Sequence, residues 1–188
     1  MTYIAHVRED DRCIQTVKEH LEGVANLSKL HASKIGLGDY GELIGLLHDL
    51  GKYSISFQNY IKSGTNLLKQ GDVGFVNVDN YKGKIDHSTA GAQYIWNKWN
   101  KLSSKGVSEQ ITGQILFLCV CSHHSGLIDC LVPEPIANKF YARTKKYEEG
   151  SYLLEAISKV ETDILNRCDE IMSREGFATS LPKMGSIL

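Results

Sequence analysis

At 188 residues with a formal net charge of −1, the chain has room for one domain around a single core, and it is not held to nucleic acid by overall charge. Its 5 cysteines lack CxxC spacing, which excludes a disulfide framework. The longest apolar run is far too short to span a bilayer and no secretory signal is recognisable, so a cytoplasmic location without a membrane partner is expected.

The elements are mostly helical. A first helix is predicted from about Ile14 to Ile35, ending near Gly36 and Gly38. Within it, Val17, Leu21, Val24 and Leu27 recur at helical spacing around His20, which therefore points inward. His31 shares that face but sits about 16 Å further along at the usual helical rise, too far to share an ion with His20. His6 precedes this helix and has no assigned role.

A second helix, from about Tyr40 to Leu50, carries the run Gly45-Leu46-Leu47-His48-Asp49-Leu50-Gly51-Lys52. Burying a His and an Asp side by side is costly unless something pairs with them. A metal ion is the economical partner, since imidazole nitrogen and carboxylate oxygen are natural donors. Lys52, one turn on, suits a phosphate lying on that metal. The run is not a nucleotide-binding P-loop, because five residues separate its glycines and Tyr53 follows the lysine where Ser or Thr should stand.

A third helix carries Phe57, Tyr60 and Ile61. Residues 64 to 85 are rich in Gly, Asn and Asp and read as a long loop with a short strand at Gly74 to Val78. Helices follow near 87–101, 108–122 and 150–174. His87 opens the first of these in Asp86-His87-Ser88-Thr89-Ala90-Gly91-Ala92, where Asp86 is placed to cap. His123-His124 closes the apolar run Ile115 to Cys121, in which Cys119 and Cys121 pack rather than bind zinc. Pro133 and Pro135 mark an irregular link. The tail after Gly176 reads as loosely held.

Taken alone, a His such as His20 on an apolar face is more often a hydrogen-bonded core residue, and a His-His pair at a helix end a solvated terminus. The ordered set His20, His48-Asp49, His87, His123-His124 is instead what a metal shell requires, and with Lys52 it implies a metal-dependent phosphohydrolase. The best local candidate for nucleic-acid contact is Lys139-Phe140-Tyr141-Ala142-Arg143-Thr144-Lys145-Lys146-Tyr147, in which cations alternate with aromatics as single-strand binding requires. The run fits an ordinary solvated loop and helix start equally well, and only its position beside His123-His124 tilts the reading toward substrate.

These motifs resemble the HD-domain phosphohydrolase superfamily and, within it, the HD nuclease of type I CRISPR interference, a domain usually joined to a helicase. The resemblance rests on Gly45 through Lys52 followed by Phe57-Gln58, on Asp86 through Ala92, and on His123-His124-Ser125-Gly126, and it covers about residues 1 to 145. It implies an all-α HD helical bundle, here occupying 1–175, with 176–188 as a tail leading toward a further helix. It also implies a nuclease acting on single-stranded DNA in antiviral defence, with a helicase in cis or in trans and an RNA-guided surveillance complex as partners.

In that reading Asp49 bridges two ions about 3.5–4 Å apart, His20 and His48 serve one, and His87, His123 and His124 the other. Lys52 offsets charge on the phosphate or leaving oxygen. Ser88, Lys139, Arg143 and Lys145 contact substrate. So much imidazole favours manganese, iron, cobalt or nickel, with magnesium as an outside choice. The family's late Asp ligand has no counterpart: Asp163 is on a polar face, Asp169 at the edge of an apolar stripe, and Glu161 within it. The expectation is that the chain stops short of that Asp and leaves one metal site incomplete. Rival readings are an HD phosphohydrolase acting on nucleotides or cyclic nucleotides, and a non-catalytic docking domain.

Overall fold

Thr16 decides where the first helix begins. Its side chain accepts from Glu19 N (3.1 Å), while the Glu19 carboxylate accepts from Thr16 N (2.8 Å), closing a capping box. The structure, a computed structural model, describes residues 2–99, 106–124, 126–128 and 139–184. Before the cap, β1 (Ile4–Val7) pairs antiparallel with β2 (Ile14–Thr16) in a two-stranded sheet. The predicted first helix therefore loses its first turn to a hairpin, and α1 runs Val17–Ser33. Its buried face is Val17, Leu21 and Ala25, whereas Leu27 is 60% exposed.

α2 (Gly38–Leu47) packs closely along α1. Gly45 makes this approach feasible, because a Cβ there would run into the backbone of Val24 and Ala25. A helical glycine costs roughly 1 kcal/mol relative to alanine, which the helix contact offsets. α2 ends three residues earlier than expected. His48 is its C-cap, Asp49 leaves helical geometry at φ −115°, ψ 23°, and a 3-10 turn covers Leu50–Tyr53.

Ser54 then caps α3 (Ile55–Gly64), accepting from Phe57 N at 3.2 Å. The strand expected at Gly74 to Val78 does not form. Asn77 accepts from Asp79 N (3.1 Å) and starts a single helical turn instead, α4 (Val78–Tyr81).

α5 (Thr89–Trp99) and α6 (Val107–Ser122) form the second helix pair, and α7 (Lys139–Thr144) follows. Ser125, Pro133 and Pro135 lie outside the described residues. The single helix expected over 150–174 is three pieces, α8 (Glu148–Ser151), α9 (Leu153–Lys159) and α10 (Thr162–Ser173). The Glu148 carboxylate caps α9, accepting from Leu154 N and Glu155 N (both 3.0 Å), and Tyr152 between them is left-handed at φ 57°. Val160 and Glu161 are extended and separate α9 from α10.

The described part of the tail, to residue 184, is not loose. Residues 177–184 form α11 (Phe177–Met184), and buried Phe177 stacks on Tyr40 (4.4 Å between centroids) and Trp99 (5.7 Å). Thr112 Oγ1 donates to Ala178 O (2.8 Å) and ties α11 to α6. One core runs from Leu21, Leu43 and Leu47 through Ile95 and Phe117 to Ile171. The fold is all-α apart from the small hairpin, and no helix among the described residues is long and apolar enough to cross a membrane.

Candidate metal centre

The break after α2 is what builds the site. Successive residues on a continuous helix point about 100° apart. Ending α2 at Leu47 lets His48 and Asp49 converge instead: His48 Nε2 lies 3.2 Å from Asp49 Oδ2. From α1, His20 Nε2 reaches the same oxygen at 2.8 Å and His48 Nε2 at 3.1 Å. Lys52, on the 3-10 turn, places Nζ 2.8 Å from Oδ2.

The other Asp49 oxygen faces a separate group. Oδ1 is 3.1 Å from His123 Nε2, 3.4 Å from His87 Nε2 and 3.9 Å from His124 Nε2. His87 and His124 hold their Nε2 atoms 2.7 Å apart. Gly51 permits this approach: its N–H donates to His87 O (3.0 Å), and a Cβ there would sit 2.6 Å from that oxygen. Two donor sets result, His20, His48 and Asp49 on one side and Asp49, His87, His123 and His124 on the other.

The ring orientations fit divalent ions. His48 Nδ1 donates to Gly45 O (2.9 Å) and His123 Nδ1 to Val120 O (2.7 Å), each to the carbonyl three residues back. In the neutral rings those bonds leave both Nε2 atoms as bare acceptors, aimed at carboxylate oxygens that are also acceptors. Only a proton or a metal ion can lie between them. Such backbone-oriented imidazoles are the usual outer support of metal ligands. His87 Nδ1 is buried with no hydrogen-bond partner among the described residues.

Charge follows the same geometry. Burial opposes ionisation of Asp49, but His123, His20 and His48, which donate to it when their rings are protonated, outweigh burial and hold the carboxyl far below the usual range. Burial pushes His87 down to about 4, against the pull of Asp49 and helped by His124 and Lys52. His124 is also lowered, by burial and by His123. His123 goes up: its bonds to Asp49 and the Val120 carbonyl overcome burial.

The late carboxylates do not join. Glu161 accepts from the Tyr53 hydroxyl, Asp163 pairs with Lys18, and Asp169 pairs with Lys98 at 2.9 Å. Each is satisfied by a cation or hydroxyl elsewhere, so the first set has three donors among the described residues.

The expected substrate residues divide. Ser88 and Arg143 line a cavity of about 440 Å³ together with His87, His124, Lys84 and Lys146. Arg143 donates to Ser88 Oγ (2.8 Å) and Thr89 Oγ1 (3.2 Å), and Lys146 Nζ lies 2.7 Å from Asp86. Asp86 in turn accepts from Thr89 N (3.0 Å) and caps α5, and these bonds overcome burial to hold its carboxyl low. Lys139 and Lys145 stand outside the lining of that cavity, with Lys145 Nζ over the Tyr141 ring at 5.5 Å. Lys84 and Lys146 were not singled out from the sequence, although Lys146 lies within the cation-aromatic run.

Arg143 and Lys146 thus both pair with Asp86 beside the His-rich carboxylate site. The family model for the HD domain of Cas3 matches residues 11–182. The chain belongs to that family. No curated protein and no solved structure matches the chain at a significant level. Membership supports an HD-type phosphohydrolase or nuclease in a CRISPR setting, and HD domains bind divalent metals, for which the His/Asp cluster is suited.

Proposed function

We propose that this chain is a metal-dependent nuclease that hydrolyses phosphodiester bonds of single-stranded DNA during CRISPR interference. The supporting observation is the division of Asp49, whose two oxygens each face their own set of imidazoles beside the ammonium of Lys52. His20, His48 and Asp49 would hold one divalent ion, and Asp49, His87, His123 and His124 the other, with manganese, iron, cobalt or nickel favoured by the nitrogen-rich donors. When bound, such ions supply Lewis-acid stabilisation and make water nucleophilic near neutral pH.

The chain's own residues do the rest. Asp49 stays ionised because the groups around it outweigh its burial. The carbonyls of Gly45 and Val120 fix the faces that His48 and His123 present. Lys52 places a fixed positive charge beside Asp49, where it offsets charge on a phosphate oxygen or on the leaving oxygen. Arg143 and Lys146 hold the strand at the cavity edge, and Ser88 orients Arg143. A helicase, in cis or in trans, would deliver the single strand, and an RNA-guided surveillance complex would select it.

The deciding experiment supplies circular single-stranded DNA to protein loaded with manganese, cobalt or nickel, with Asp49→Ala as control. Cutting that disappears in Asp49→Ala supports the nuclease. Metal uptake without cutting, joined to phosphate release from nucleotides, supports the nucleotide phosphohydrolase reading instead. That reading is favoured by one observation, a cavity whose volume of about 440 Å³ falls in the small-ligand range. Neither uptake nor cutting in folded protein would leave a docking role.

A further inference from the structure

We propose that His6, on β1, is a positioning residue for Lys52 in phosphodiester hydrolysis, and that Gln58 is the clamp that fixes its strand to the site. This rests on the nuclease reading above. His6 stands outside both donor sets, yet its Nε2 lies 3.1 Å from Lys52 Nζ and its ring meets His20 edge-on at 4.8 Å between centroids. An ammonium can only donate, so the His6 nitrogen facing it is the acceptor and the ring carries its proton on Nδ1.

Lys52 is thus held at two points, His6 Nε2 and Asp49 Oδ2 at 2.8 Å. Those two acceptors engage two of its three N–H donors and direct the third. A lysine head on a four-carbon stem otherwise samples many rotamers, and ordering it during the reaction costs rate. Asp49 Oδ2 alone is a shared anchor, since His20 and His48 also face it. His6 supplies a second, independent one.

Gln58 makes this contact a built feature of the fold. It is 1% exposed, and its single amide serves both partners: Oε1 accepts from Ile4 N (2.9 Å), while Nε2 donates to Ile4 O (2.9 Å) and to Lys52 O (2.8 Å). One side chain therefore joins the backbone of the strand bearing His6 to the backbone of Lys52. The irregularity between Ile4 and His6 in the hairpin register lies between the clamped residue and the histidine.

The test compares His6→Leu, His6→Gln, Lys52→Met and the double variant His6→Leu/Lys52→Met in the full chain. Kinetics on single-stranded DNA, metal content and imidazole ¹⁵N NMR of the metal-free protein are read for each. His6→Leu should lower kcat by about 10- to 100-fold with KM and metal content little changed. His6→Gln, which keeps an acceptor at similar reach, should recover most of that loss, and His6→Leu should cost nothing further once Lys52 is Met. His6 should show the Nδ1–H tautomer in the wild type and lose that preference in Lys52→Met. Equal kcat losses in both backgrounds, loss of metal in His6→Leu, or an Nε2–H tautomer in the wild type would each overturn the role. Wild-type cleavage with an indifferent His6→Leu sinks the positioning role alone. A wild type that cuts no single strand sinks the nuclease reading, and with it any reaction for His6 to serve.

Discussion

The two halves of the centre share one carboxylate but are built differently. His20 and His48 come from the tightly packed α1–α2 pair, and their side chains are 15% and 11% exposed. His87, His123 and His124 stand at the start of α5 and the end of α6, and the His124 side chain is 60% exposed. Among the described residues, the first half is set by core packing and offers three donors; the second has four and opens on the cationic cavity. Under the proposed function, the inner half would hold Asp49 and Lys52 in place and the outer half would meet the strand.

Removing one ligand from each half separates these roles most sharply. In His20→Ala the inner set retains two donors and in His123→Ala the outer set retains three, so metal analysis should show the first losing an ion outright and the second binding both more weakly. Cleavage should fall in both by about 10²- to 10³-fold, the scale for losing one electrostatic group at a reacting centre. Equal metal loss in the two variants would dissolve the distinction.

Gly51→Ala strikes the joint between the halves. The new methyl would sit 2.6 Å from His87 O and 2.7 Å from His87 Cα, so the turn carrying Lys52 must move away from the outer ligands. Overpacking of this kind costs about 1–3 kcal/mol. A chemical-denaturation midpoint equal to wild type would show that the joint is not tight.

Arg143→Ala tests the cavity. It should raise KM for single-stranded DNA by about 10-fold and reduce the salt dependence of binding by about one phosphate contact, with kcat held. Nucleotide hydrolysis should change less. Because Arg143 also bonds Ser88 and Thr89, a small loss of stability should accompany it.

The pH dependence of stability is clearest in the outer half. His87 falls from 6.5 to about 4 in the fold and His124 is lowered, so the unfolded chain binds their protons first as pH drops. Their contribution to stability is present above about 6.5 and is lost as pH falls toward about 4. His6 behaves alike, lowered to about 4 by burial and then by Lys52. His123, raised, acts in the opposite sense and gives stability at low pH that fades as pH rises through its folded value. With three groups against one, the metal-free protein should melt at lower temperature at pH 5 than at pH 7, and added metal should widen that gap. A flat profile would show the shifts cancel.

Much of this centre is legible along the chain because its signals are local. Apolar residues at helical spacing mark α1, α2, α5 and α6, and donor types in the order His, His-Asp, His, His-His mark a metal shell. Capping chemistry is local too, and Thr16 with Glu19 or Asp86 with Thr89 could be read from side-chain type. What periodicity does not report is where a helix stops in favour of a better tertiary bond. Asp49 leaves α2, Glu148 breaks the last predicted helix, and Phe177 draws an apparently loose tail into an aromatic stack with Tyr40 and Trp99. The partners of each charge are equally invisible to spacing. Arg143 meets Ser88 across 55 residues, Glu161 meets Tyr53 across 108, and Gln58 ties Ile4 to Lys52 across 54 and 6. The sequence by itself determined which donors exist and which helices carry them. Only the tertiary structure decided which oxygen of Asp49 each donor faces, because that depends on burial bringing distant elements within hydrogen-bond reach.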